Sequence, residues 1–239
     1  MKKESSLIGS ESGFSLLELI IAMTITIVIT GMASTLLAAA LNVRSRGNEE
    51  VDALADAQRA LNIMSREIGN AGFNLTDNGI VAADSVTDAR GNSTIRIRSN
   101  LNKFTTSATT TARNGIGTVG EDAGEDLKYF VYPAANTTLL ARYDAYSASG
   151  GSSTVLANRL DSMHIHYFAQ KVTYGTTGCD ISGASSSEVA ALSTAKYLVI
   201  AVCVLLDAKG APNSPGYQPN SKVLLVSDVA LRNSNLAAY

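Results

Sequence analysis

A chain of 239 residues leaves room, beyond one membrane-length segment, for a single globular domain of ordinary size, and two would be crowded. Its formal net charge of −2 and pI near 5.7 give no general electrostatic case for a nucleic-acid partner.

The first predicted element is apolar. From Leu16 to Leu41 the only charged side chain is Glu18, and Leu19 to Val43 carries no charge at all. A helix over that uncharged stretch is roughly 37 Å long at about 1.5 Å per residue, enough for one pass through a bilayer. Ala38-Ala39-Ala40 imitates a signal-peptidase site, but the apolar run is far longer than the about 7 to 15 residues of a signal h-region. An ordinary signal anchor explains the span and leaves Glu18 unexplained. A carboxylate in such a run is disfavoured by a few kcal/mol, less near an end than at the centre, and so asks for a partner. Lys2 and Lys3 on one flank face Arg44 and Arg46 on the other, so charge counting leaves orientation open.

The string Gly13-Phe14-Ser15-Leu16-Leu17-Glu18-Leu19-Ile20 resembles the class III signal of type IV pilins and of type II secretion pseudopilins. The resemblance implies a hydrophilic leader over residues 1–13 with Lys2 and Lys3 in the cytoplasm. It further implies cleavage after Gly13 by a prepilin peptidase, N-methylation of the new terminal Phe14, and a role in assembly for Glu18, the fifth residue of the mature chain. The physics is compatible. The α-amino group of a neighbouring Phe14 and the Glu18 carboxylate are opposite charges in a low-dielectric setting and neutralise each other as helices dock.

Beyond residue 43 the pattern becomes amphipathic. Val51, Leu54, Leu61, Met64 and Ile68 recur at helical spacings, with charged residues mostly elsewhere around the wheel. One helix is therefore predicted from Phe14 to about Asn70, its first half (14–43) in the membrane or filament core and its second (44–72) on a domain spanning 73–239. Gly31 and Gly47 are weak points within it, and Ala71-Gly72-Phe73 is its stop signal. Predicted strands follow at Thr94–Arg98, Leu127–Tyr132, Thr138–Tyr143, Met163–Phe168, Lys196–Leu206 and Lys222–Leu231. Thr105–Thr111 and Ser147–Ser153 read as loops. Helix first and strands after give an α+β fold, a long helix packed on a mostly antiparallel sheet.

The stretch from Arg59 to Phe73, the Tyr129–Arg142 segment and the closing Val229-Ala230-Leu231-Arg232-Asn233 resemble PilW-type minor pilins and J-type pseudopilins. Many major pilins carry a helix-bending proline in the membrane segment, and residues 14–43 contain none. This resemblance implies a minor pilin, single-pass in the bacterial inner membrane with a periplasmic domain, incorporated at the pilus tip. Its partners would be major and minor pilins, the prepilin peptidase and the inner-membrane assembly platform.

Chemistry-bearing residues are sparse. His164 and His166 share one strand face and could hold a metal, but no third ligand is visible nearby. Glu121-Asp122-Ala123-Gly124-Glu125-Asp126 has the composition of a calcium site without the spacing of an EF-hand. Asn74, Asn92 and Asn136 begin glycosylation sequons. No nucleophile elbow or phosphate loop appears, so neither enzyme activity nor a cofactor is predicted. Cys179 and Cys203 are a candidate disulfide for an oxidising periplasm, the alternative being a buried Cys203 and a free Cys179 thiol. Two other functions remain open on the residues: a J-type pseudopilin of type II secretion, and a membrane-anchored periplasmic ligand or metal binder.

Overall fold

The computed structural model describes residues 14–101, 123–134, 137–147 and 150–233. Its first element is a continuous helix, α1, Leu16–Gly69. No proline interrupts it, and four hydroxyls within its apolar half are satisfied locally. Thr24, Thr26, Ser34 and Thr35 donate to the carbonyls of Ile21, Ala22, Thr30 and Met32 at 2.7–2.9 Å, so no side-chain hydroxyl of these four asks for water. The helix stops at a glycine turn. Gly72 has φ +75°, and a Cβ there would lie 2.7 Å from the Asp77 carbonyl.

Two compact units divide the chain. One comprises residues up to Arg46 together with Lys209–Gln218. The division falls within α1, between Arg46 and Gly47, and the Lys209–Gln218 loop groups with the helical unit. That loop is closed at its base by reciprocal backbone hydrogen bonds between Lys209 and Gln218 at 2.8 and 2.9 Å. It lies directly on α1: a Cβ on Gly216, where φ is +77°, would meet the Ala39 Cα at 2.5 Å, and one on Gly210 would meet the Asn42 amide at 3.1 Å. Only glycine fits the first position, on grounds of both space and backbone.

The other unit, Gly47–Ala208 and Pro219 onward, is α+β. Its strands are β1 Ile95–Arg98, β2 Asp126–Ala134, β3 Thr137–Asp144, β4 Ser152–Ala157, β5 Leu160–Phe168, β6 Gly175–Thr177, β7 Asp180–Ser182, β8 Tyr197–Leu206 and β9 Ser221–Ala230. They form not one sheet but two, with orders β1-β2-β3-β4 and β5-β8-β9, plus a β6-β7 ribbon, all antiparallel. The chain changes sheet at Asn158-Arg159, where Arg159 takes φ +56°. Two expectations are corrected. The loop at Ser147–Ser153 ends at Ser152, where the edge strand β4 begins, its outer face too polar to alternate visibly. β5 starts at Leu160, earlier than Met163, because a bulge between Leu160 and Ser162 breaks the two-residue period.

The core lies between α1 and both sheets. Ala53, Ala57, Ala60, Leu61, Met64 and Ile68 meet Ile95 and Ile97, Leu127 and Tyr129, Leu140, Met163 and Ile165, and Leu198 to Val204 on alternate positions. The buried helical seam therefore starts with alanines, not with Val51, which is 66 % exposed, or Leu54, which is half-buried. Small residues let the helix backbone approach the strands, a feature that a search for large apolar residues overlooks. β8 is buried on both faces. Its second face, Tyr197, Val199 and Ala201, joins Phe168, Ile181 and Ala184 in a smaller core roofed by the 172–184 excursion.

Candidate functional site

The N-terminal half of α1 is apolar all round and unburied. Phe14, Leu16 and Leu17 are 67–76 % exposed, and the side chains from Leu19 to Leu37 are exposed on every face. A helix with no polar face is suited to lipid or to other apolar helices, not to water. Its most apolar window has mean hydropathy 2.2, and by length and composition it is the one described helix able to cross a membrane. Glu18 sits in the first turn and is exposed. There the unpaired amides and the helix dipole favour a negative charge. Phe14 stands just before the helix, whereas Gly13 and the leader lie outside the described residues.

The C-terminal half is fixed to the domain by a polar knot. Arg142 on β3 donates to Glu67 of α1 through Nε at 2.9 Å and Nη2 at 3.2 Å, and the hydroxyl of Tyr129 on β2 donates to the same carboxylate. Burial, reinforced by the Glu67 charge, pushes the Tyr129 phenol far up, so it remains a donor. A second knot joins β1, β2 and the 3-10 turn Ala82–Asp84. Arg96 donates to Asp126 at 2.7 Å and to Asp84 at 2.6 Å, and Arg98 donates to Asp126 at 3.1 Å. The Arg96 hydrogen bonds hold the Asp84 carboxyl below the usual range. Arg142 and Tyr129 belong to segments singled out by resemblance. Their pairing with Glu67 across the fold had no signal in the sequence, because a glutamate on an amphipathic helix looks like a solvated one.

His164 and His166 do share the outer face of β5, and the fold brings carboxylates to them. His166 Nε2 lies 2.8 Å from Asp180 on β7, its Nδ1 lies 2.8 Å from Glu188, and His164 Nδ1 is 3.8 Å from Asp180. Burial opposes charge on the His166 imidazole, but the hydrogen bonds to Glu188 and Asp180 outweigh it and raise its pKa. With acceptor-only carboxylates on both ring nitrogens, the arrangement suits an imidazolium that clamps the excursion to β5. Among the described residues the one group of three whose ligand atoms converge is Asp161, Cys179 and Cys203, and both sulfurs are in a bridge, with Cα atoms 5.3 Å apart. The bridge ties the turn before β7 to the middle of β8.

Of the acidic turn, Glu121 and Asp122 lie outside the described residues. Asp126 is committed to Arg96 and Arg98, and Glu125 accepts from the Leu101 amide at 2.6 Å. The Asn92 sequon is closed: Asn92 is buried, and its side-chain oxygen accepts from the Met163 amide at 3.1 Å. Asn74 is half-buried and donates to the Asn100 carbonyl, and Asn136 lies outside the described residues.

No protein-family model matches the chain, and no curated protein matches it.

Proposed function

We propose that the chain is a minor pilin of the PilW type, cleaved after Gly13, methylated at Phe14, anchored in the inner membrane with its β-rich domain in the periplasm, and built into a type IV pilus. The observation that carries this reading is a carboxylate, Glu18, in the first turn of a helix whose apolar residues are exposed on every side. Such a helix asks for apolar neighbours on all its faces, and a filament core of packed helices supplies them as well as lipid does. The carboxylate at its tip then meets the α-amino group of an adjacent subunit's first residue. The mechanism is structural: the long helix polymerises, and the domain held on its second half offers surface to partner pilins. The Glu67 knot supports this by holding the second half of α1 to the domain.

The test is mass spectrometry of sheared surface filaments beside the membrane fraction, searching for a peptide that begins at methylated Phe14. Its presence in both fractions is the expected result. Restriction to membranes favours a J-type pseudopilin, and an N-terminus elsewhere overturns the reading. In the same assay Glu18→Ala should leave cleavage largely intact and deplete the filament fraction; normal incorporation would count against the role given to Glu18.

A further inference from the structure

The Lys209–Gln218 loop sits at one defined height on α1, against Ala39 and Asn42. Between Lys209 and Gln218 it carries no charge, and it contains Pro212, Pro215 and Tyr217. It is internally braced: the Ser214 amide and hydroxyl both donate to the Ala211 carbonyl, at 3.0 and 2.6 Å, and the Tyr217 amide donates to Ser214 at 3.1 Å. Its tip, Ala211 to Asn213 with Pro215, is exposed, while Tyr217 is half-buried. N-terminal to the contact, α1 carries no charge back to Glu18. C-terminal to it, Arg44 follows within about one and a half turns and is exposed. The apolar-to-charged transition of the helix and the loop thus coincide.

We infer that this loop is a membrane-interface strap: its uncharged tip and Tyr217 rest in the headgroup region and fix how deeply α1 enters the bilayer. The proposal rests on reading the first half of α1 as a membrane span. Tyrosine concentrates at that boundary because its ring is apolar and its hydroxyl is not, and an arginine just outside reaches lipid phosphates. The strap sets a ruler. From Ala39 back to Glu18 is roughly 31 Å at about 1.5 Å per residue, and the hydrocarbon core is about 30 Å thick. With Ala39 held at one interface, Glu18 arrives at the other, where its carboxylate reaches water and lipid headgroups instead of the bilayer centre. Ile27 then falls near the midplane. A closed loop gripping the helix is what makes the register specific, since an apolar run alone could slide along the bilayer normal at little cost.

The chain has no tryptophan, so the full-length protein can report depth from single-tryptophan variants. Tyr217→Trp and Ile27→Trp are reconstituted in vesicles of phosphatidylethanolamine and phosphatidylglycerol containing lipids brominated at shallow or deep acyl positions. Expected is stronger quenching of Tyr217→Trp by shallow bromines than by deep ones, with the order reversed for Ile27→Trp. Adding Gly216→Val, which has no room against Ala39, should abolish the shallow quenching of Tyr217→Trp. Deep quenching at position 27 with none at 217 overturns the strap while leaving the membrane span standing. Absence of quenching at both positions overturns the span itself, and the strap with it. Retention of shallow quenching in the Gly216→Val variant overturns the grip on Ala39 as its cause.

Discussion

Replacing Glu67 by alanine removes the one carboxylate that both Tyr129 and Arg142 use to hold α1 to the four-stranded sheet. Three hydrogen bonds are lost together, two of them the arms of a bidentate guanidinium pair at 2.9 and 3.2 Å. Breaking a fully buried ion pair costs about 3 to 5 kcal/mol, because the surviving charge is left without a partner. Here the Arg142 and Glu67 side chains are 19 % and 21 % exposed, so water re-solvates part of the guanidinium. Asp144, 3.7 Å away, also retains some of its charge interaction. Tyr129, with no exposed surface, has no such relief. The expected loss is therefore about 2 to 3 kcal/mol. Glu67→Gln, which keeps an acceptor for the phenol, should cost about half of that. Urea unfolding of the full chain in detergent micelles, followed by near-ultraviolet dichroism of its tyrosines, measures each value. A double-mutant cycle with Arg142→Ala isolates the pair and should give a coupling of about 1 to 2 kcal/mol. A Glu67→Ala variant within about 0.5 kcal/mol of the parent, the range of an ordinary surface substitution, would refute the knot as the helix-to-domain tether.

Three further outcomes follow from the packing. Converting Cys179 and Cys203 together to alanine should lower unfolding stability by about 2 to 4 kcal/mol, read from the same urea curves, while leaving secondary structure unchanged by far-ultraviolet dichroism. Ala57→Leu forces a large side chain into the alanine seam and should cost about 1 to 3 kcal/mol, whereas the same change at exposed Ala55 should cost little. His166 has a raised pKa in the fold, so its clamp is fully in force below the unfolded value of about 6.5 and is lost as pH rises through the higher folded value. Amide exchange over residues 180–189, corrected for intrinsic rates, should accelerate through that interval in the parent and lose its pH dependence in His166→Gln.

Much of the architecture was written in local pattern. The long helix, its stop at Gly72 and most strands follow from periodicity and glycine chemistry. The α+β class follows from their order. What escaped local pattern depends on three-dimensional choices. The split into two sheets turns on one left-handed residue, Arg159, which no periodicity announces. The alanine seam was hidden because alanine is compatible with any face of a helix. The contact of Lys209–Gln218 with the helix has no local mark, since a glycine's lack of space against Ala39 exists only once the fold is made. The Glu18 position needed no fold, being a charge out of place in an apolar run. The carboxylates beside His166 come from 14 and 22 residues further along, beyond the reach of motif spacing.

β8 has a consequence that lies before the native state. Burying both of its faces requires ten consecutive residues, Tyr197–Leu206, with no charge, proline or glycine. In the unfolded chain that stretch is too short to stop in a bilayer as a second span, but it has the composition of an aggregating segment. Lys196 and Asp207 flank it as gatekeeping charges of opposite sign. Its safety therefore depends on timing. Until β5 and β9 have closed on its two edges, the strand most deeply buried in the finished molecule is the one most exposed to mispairing, and the period between emergence and folding is when the protein is most vulnerable.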